Sequence, residues 1–220
     1  MRKIIGAAFM SLDGVMQAPG GPTEDTTGGF AYGGWMEPLI DEAVGQRIDT
    51  LFKSPFDLLL GRRTYDIFAA HWPYAPADDP IAAKFAKANK YVLTGSNAPL
   101  GWKDSHRLAD LDALANVKAD GGPDLVIQGS STLYPQLLAR GLLERLVLMM
   151  APVTLGAGKR LFGDGVPPGT FRLTEQQLTP SGWIIASYEP AGPVQTGSFA
   201  MAKPSEAERV RQAKIKAGSW

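Results

Sequence analysis

Phe56-Asp57-Leu58-Leu59-Leu60-Gly61-Arg62-Arg63-Thr64-Tyr65 decides how this 220-residue chain is read. Three consecutive leucines are too few for a helix and a glycine follows them, so they read as a strand buried on both faces. Beyond them Tyr65, Phe68 and Ala69 recur at helical spacing, which puts Thr64 where an N-cap belongs. A buried parallel strand, a glycine, two guanidinium groups and a hydroxyl at a helix start make an anion site. Backbone N–H groups point out of the helix start, its dipole favours negative charge, and arginine adds planar forked donors. The stretch reads as a phosphate clamp.

On either side strands and helices alternate. Residues 3–9 form a buried strand closed by the Asp13-Gly14 turn. Residues 17–34, rich in Gly, Pro and Thr, lack periodicity and read as a lid or binding loop. The spacing of Leu39, Ile40, Ala43, Val44, Ile48 and Leu51 predicts an amphipathic helix over 35–52. Further helices fall at 81–88, 110–118 and from Leu133, where Pro135 fits only in or near the first turn. Strands fall at 90–94, 124–128 and 144–150. A glycine-rich connection over 152–169 then leads to two successive strands, 171–178 and 183–188, around a Thr-Pro-Ser-Gly turn. The pattern predicts an α/β fold with a mostly parallel sheet and an antiparallel C-terminal edge. Residues 1–190 read as one domain, and 191–220 as an appended tail with a short charged helix over 206–216.

Composition narrows the function. With 22 basic and 22 acidic residues the chain has no net charge, which argues against a nucleic-acid binder. The tail carries five basic residues against two acidic ones, so it is positive and the body correspondingly negative. The absence of cysteine excludes disulfides, thiol nucleophiles and iron–sulfur clusters. Neither histidine stands in a metal-ligand pattern: His71 falls in a Pro-rich break and His106 in a charged loop. The apolar run after Met1 is too short for a signal peptide, and none reaches membrane-spanning length, so a cytoplasmic protein is expected.

One arrangement occurs three times. The strands at 58–60, 91–93 and 125–127 end in Gly61-Arg62-Arg63-Thr64, Thr94-Gly95-Ser96-Asn97 and Gly129-Ser130-Ser131-Thr132. In open α/β sheets ligands bind beyond the carboxyl ends of the strands. Three such turns present N–H groups and hydroxyls along one edge, enough for a dinucleotide with a third phosphate. Singly, a strand–Gly–Ser turn is more often a structural cap. Neither nucleotide fingerprint is present, and Gly156-Ala157-Gly158-Lys159 reads as a turn because no Ser or Thr follows it.

At these residues the chain resembles the dihydrofolate reductase-like proteins that share the reductase domain of bacterial riboflavin biosynthesis. Further matching pieces are Met10-Ser11-Leu12-Asp13-Gly14, Gly33-Gly34-Trp35, Trp72-Pro73, Lys90-Tyr91-Val92-Leu93, and the run from Pro152 to Phe162. The resemblance implies a dihydrofolate reductase-like fold, NADPH as hydride donor and a homodimer. It assigns Gly61, Arg62, Arg63 and Thr64 to phosphates and puts Thr94 and Ser96 near the adenosine 2′-phosphate. It puts Gly129, Ser130, Ser131 and Thr132 at the pyrophosphate, and Ala7 and Ala8 beside the nicotinamide. Where classical folate reductases carry Gly-Gly after the third of these strands, this chain has Gln128-Gly129. Without cysteine it also lacks the zinc deaminase signature of the bifunctional riboflavin enzymes.

A reductase must hold a C=N or C=O carbon against the nicotinamide and help to supply a proton. Folate reductases use a carboxylate on the first helix after the lid; here that helix offers Asp41 and Glu42, with Asp49 further along. Such charges on an amphipathic helix are commonly its solvated face. Asp13 is a third candidate, because in riboflavin-type relatives its stretch borders the substrate; it also suits a plain Asp-Gly turn. Trp35, Tyr65 and Trp72 suit either stacking on a flat heterocycle or anchoring the core. The expected activity is reduction of an aminopyrimidine of riboflavin type or of a pterin. The rivals are a non-catalytic nucleotide-binding module and a sugar-phosphate binder.

Overall fold

The computed structural model describes residues 1–219. Its strands are β1 (Ile4–Met10), β2 (Phe56–Gly61), β3 (Lys90–Leu93), β4 (Ser105–Leu108), β5 (Asp124–Ile127), β6 (Arg145–Met150), β7 (Phe171–Leu178) and β8 (Ile184–Pro190). Its helices are α1 (Glu42–Leu51), α2 (Arg62–His71), α3 (Pro80–Lys87), α4 (Leu111–Ala119), α5 (Leu133–Ala139) and α6 (Glu206–Lys216). Among the described residues the strands form one sheet in the order β4-β3-β2-β5-β1-β6-β8-β7. Pairings from β4 to β6 are parallel, and β8 and β7 add an antiparallel edge.

All six residues of β2 are buried, and the strand pairs in parallel with β3 and β5. Its leucines divide by the two-residue period of a strand: Leu58 and Leu60 enter the core on one face, Leu59 that on the other. The first core is aromatic, with Phe52, Phe56, Tyr65, Phe85 and Trp183; the second is aliphatic around Leu114, Leu125 and Leu137. At the amino ends of the strands the Arg2 guanidinium is ion-paired with Asp57. Asp57 also accepts hydrogen bonds from the Asn89 backbone N–H (2.8 Å) and side chain (3.1 Å).

Four local expectations need correction. The helix expected over 35–52 starts only at Glu42, where Asp41 takes the N-cap and accepts from Val44 N–H at 2.9 Å. Before it Glu37–Leu39 is a 3-10 turn containing Pro38, which keeps Leu39 against the core and so mimics a longer apolar stripe. The N-cap of α2 is Gly61 and not Thr64, which sits in the first turn. Strand β4 has no counterpart in the expected pattern. It is a short edge strand whose only buried residue is Leu108, so it leaves no apolar run to read. The last strand runs over Ile184–Pro190, slightly beyond the expected 183–188.

The lid over 17–34 is built around a buried glutamine. Gln17 Nε2 donates to the carbonyls of Asp25 (3.0 Å) and Thr27 (2.9 Å), and its Oε1 accepts from Lys159 N–H (3.0 Å). Trp35 Nε1 donates to the Gln17 carbonyl (2.9 Å), and Lys159 Nζ is ion-paired with Asp25. A segment without periodicity is thus ordered by a single amide that satisfies three backbone groups.

The C-terminal segment is bonded back to the body as far as Pro193, whose carbonyl accepts from Thr170 Oγ1 at 3.0 Å. Helix α6 buries no side chain and holds its ion pairs internally, Arg209 with Glu206 and Arg211 with Glu208. Trp220, the end of the expected tail, lies outside the described residues. Among the described residues no helix is long and apolar enough to cross a membrane, and no His, Cys, Asp or Glu cluster could hold a metal ion.

Candidate active site

Strand β5 inserts between β2 and β1, so the connections after β2 and β5 leave the sheet side by side. At that switch point the turns lock together. Gly129 has φ +146, and a Cβ there would stand 3.0 Å from Thr64 Cγ2. Ser130 follows in the left-handed region at φ +71, a conformation a serine holds only when its surroundings demand it. Its Oγ accepts from Gly61 N–H (2.7 Å) and donates to Thr64 Oγ1 (2.8 Å). A Cβ on Gly61 would come within 2.8 Å of that Oγ. With Gly61 N–H satisfied, the next N–H groups at the start of the ten-residue α2 have no partner within the helix.

Two cavities meet at this lock. The larger, about 920 Å³, lies over the carboxyl ends of β2, β3 and β4, lined by Gly61, Arg62, Arg63, Thr94, Gly95 and Thr132 among others. The smaller, about 250 Å³, runs over β1 and beneath the lid, with Ala8, Phe9, Glu24, Asp25, Phe68 and Lys159 in its wall. Gly61, Arg62, Arg63 and Thr132 belong to both, making them one groove with a waist.

The arginines differ. Arg62 Nε donates to both Asp66 oxygens (2.9 and 3.0 Å), and its NH1 donates to the Ala98 carbonyl (3.0 Å). Across the larger cavity Arg140 is ion-paired with Asp112, and Asp110 caps α4 by accepting from Asp112 and Ala113 N–H. Arg63 is exposed and makes no ion pair or hydrogen bond through its guanidinium among the described residues. It is the lining cation left free to meet an anion.

Gly61, Arg62, Arg63, Thr64, Thr94, Gly129, Ser130, Ser131 and Thr132 are thus brought to one groove. Ala8 lines its lid end, whereas Ala7 is buried in the aromatic core. Ser96 lines neither cavity; its Oγ accepts from Ala98 N–H at 3.2 Å and shapes the turn. Trp35 and Tyr65 are core residues, and Trp72 packs against the same cluster.

The proposed carboxylates lie elsewhere. Asp41 lines neither cavity: besides capping α1, its Oδ2 accepts from Ser181 Oγ (2.6 Å) on the β7–β8 turn. The hydroxyls of Ser181 and Thr179 and the Val44 N–H hold its pKa far below the usual carboxylate range. A group so stabilised as an anion carries no proton near neutrality. Glu42 is exposed and accepts from Gln46 Nε2 at 3.0 Å.

Asp13 ties the end of β1 to the 152–169 connection, accepting from Ser11 Oγ (2.6 Å), Leu155 N–H (3.0 Å) and Gly156 N–H (2.8 Å). The Ser11 hydroxyl and then the Leu155 N–H lower its pKa from 3.8 to about 2. Its stabilising effect is therefore complete above about pH 4 and is lost as pH falls towards 2. Asp13→Asn is expected to cost about 1–3 kcal/mol at neutral pH. Urea midpoints of the two proteins should differ at pH 7 and converge as pH falls through about 2, because the wild type loses its advantage there.

Sequence reasoning missed the residues that close the lid end: Gln17, Glu24, Asp25 and Lys159. The available signal was an adjacent acidic pair inside an otherwise small and uncharged stretch.

The profile of the RibD C-terminal domain matches residues 2–185. The chain belongs to the RibD C-terminal domain family. It is therefore a reductase-type protein with a dihydrofolate reductase-like fold. A search of curated proteins finds no significant sequence match. Among solved structures the fold is shared with a protein of Shewanella sp. PV-4 assigned to riboflavin biosynthesis. That pair has 20% identity and a TM-score of 0.64, covering 86% of this chain and 99% of the other. Dihydrofolate reductase from Enterococcus faecalis, solved with NADP(H), gives 13% identity and a TM-score of 0.55, covering 86% and 96%. The Thermotoga maritima deaminase/5-amino-6-(5-phosphoribosylamino)uracil reductase gives 12% identity and a TM-score of 0.56, covering 86% of this chain and 57% of that one. This RibD-type chain thus spans little more than half of the bifunctional protein.

Proposed function

We propose that the chain is an NADPH-dependent reductase of a small heterocycle, an aminopyrimidine of the riboflavin-pathway kind or a pterin. The observation that carries this reading is the waisted groove at the carboxyl ends of β1, β2 and β5, with the Gly61–Ser130–Thr64 lock at its centre. The residues suit a dinucleotide. Side chains are absent at Gly61 and Gly129, where they would crowd the turns, and the start of α2 presents N–H donors. Gly61, Arg62, Arg63, Thr64 and 129–132 would hold the phosphates, with Thr94 on the adenosine side and Ala8 on the nicotinamide side. When bound, the cofactor supplies a hydride. The protein's part is to keep the substrate's flat ring between the lid and Phe9 and Phe68, to exclude water, and to provide a proton. Asp13 lines neither cavity and holds the Leu155–Gly156 turn to the end of β1.

Arg63 gives a direct test. If its free guanidinium meets the extra phosphate of NADPH, Arg63→Ala should weaken NADPH about 10- to 100-fold and NADH by much less. Fluorescence titration with both dinucleotides measures this. Equal losses for the two would remove the 2′-phosphate role, and an absence of binding by the wild type would remove the reductase reading.

A further inference from the structure

Resting on the reductase reading, the geometry points to Glu24, on the lid, as the acid that protonates the substrate. Two carboxylates line the substrate end of the groove, Glu24 and Asp25, and their surroundings separate them. Asp25 is ion-paired with Lys159 and accepts from Thr27 N–H at 3.1 Å. Burial raises its pKa, but the Lys159 and Thr27 hydrogen bonds outweigh burial and lower it overall, which favours the anion. Glu24 makes no ion pair among the described residues; its Oε2 accepts from Gly20 N–H at 2.7 Å. Burial, the largest influence, pushes its pKa up; the N–H groups of Gly20 and Gly21 oppose this, the Asp25 charge adds to it and His71 opposes it. The other charged groups facing the cavity are Lys159, already paired with Asp25, and Arg62 and Arg63 at the waist. Two neighbouring carboxyls whose surroundings push their pKa values apart, one lowered by its ion pair and the other raised by burial, divide naturally into a charge partner and an acid.

In the step assigned to it, Glu24 gives its carboxyl proton to the nitrogen or oxygen of a C=N or C=O group. The Glu24 O–H bond breaks and an N–H or O–H bond forms, while the adjoining carbon takes a hydride from NADPH, the reductant. The Glu24 carboxylate then recovers a proton from solvent. The lid is the right place for this acid. Its Glu24 lines the same cavity as the α2 start and the 129–132 turn, so a flat ring bound there can meet both the hydride donor and the carboxyl.

Glu24→Gln keeps an oxygen for the Gly20 N–H and removes the proton; Glu24→Asp restores a carboxyl. Three readouts are needed on the full chain: NADPH titration, NADPH oxidation against pH with 5-amino-6-(5-phosphoribosylamino)uracil and with dihydrofolate, and 13C NMR titration of the glutamate carboxyls. Glu24→Gln is expected to bind NADPH within about twofold of wild type and to turn over about 10²–10⁴-fold more slowly. The wild-type rate should fall as pH rises through the Glu24 pKa, and that limb should be missing in Glu24→Gln and return in Glu24→Asp. By NMR the Glu24 carboxyl should titrate above the ordinary glutamate range. A Glu24→Gln protein with wild-type turnover and pH profile, or a Glu24 titrating at or below that range, overturns the proposal and leaves the reductase reading standing. A wild type that binds no NADPH overturns both.

Discussion

Gly61→Ala is expected to lower NADPH affinity about 10- to 100-fold while leaving the protein folded. The added Cβ would lie 2.8 Å from Ser130 Oγ and 3.0 Å from Ser130 Cβ, so the serine must move. Moving it breaks two hydrogen bonds at once, from Gly61 N–H and to Thr64 Oγ1, and the turn after β5 loses what holds Ser130 at φ +71. That turn and the α2 start are the two walls of the waist, so the loss falls on the ligand. The core of β2 is untouched, because Leu58, Leu59 and Leu60 lie below the lock. Gly45→Ala is the control: it lies within α1, a Cβ there meets nothing within 4 Å, and the change should add about 0.5–1 kcal/mol of stability without altering affinity. Calorimetric titration with NADPH checks both. Wild-type affinity in Gly61→Ala would mean that the lock does not shape the cofactor site.

Asp57→Ala should act in the opposite way, costing about 3–5 kcal/mol of stability. Asp57 sits at the amino ends of the strands, away from the groove, with its side chain 5% exposed and that of Arg2 3% exposed. Removing the carboxylate leaves a buried guanidinium without its counter-ion and the Asn89 N–H without its acceptor. A single domain of this size has about 5–15 kcal/mol of stability in all, so the loss is a large share of it. Replacing both partners by apolar residues, Arg2→Met with Asp57→Leu, should recover most of it, since no uncompensated charge then remains. Urea denaturation measures each. A single substitution costing less than about 1 kcal/mol would show that the pair is solvated in solution.

The two substitutions probe opposite ends of the same strand, and the functional end was the more legible one. Gly61-Arg62-Arg63-Thr64 and Gly129-Ser130-Ser131-Thr132 stand out because the same arrangement of small and hydroxyl residues after an apolar run occurs three times in the chain. The roles within them were less legible. Asp66 stands one helical turn after Arg62, a local pairing, but only the fold brings the Ala98 carbonyl to Arg62 as well and leaves Arg63 free. Thr64 reads as a cap, yet glycine enters the helix earlier and frees the threonine hydroxyl for Ser130.

The succession of buried strands along the chain, the antiparallel C-terminal edge and the small polar turns that follow three of the strands were determined by the sequence itself. Apolar periodicity and glycine placement are local properties, and a strand flanked by helices has one economical way to bury both faces. Tertiary structure alone decided the surroundings of each carboxylate. Asp41 was the natural choice by position, but the distant β7–β8 turn brings the Ser181 and Thr179 hydroxyls to it and holds it as an anion. Glu24 lay in a stretch without periodicity, and it is the fold around Gln17, 17 residues into the chain, that turns it into the groove. Acidity depends on burial and on partners remote in sequence, and no local pattern encodes either.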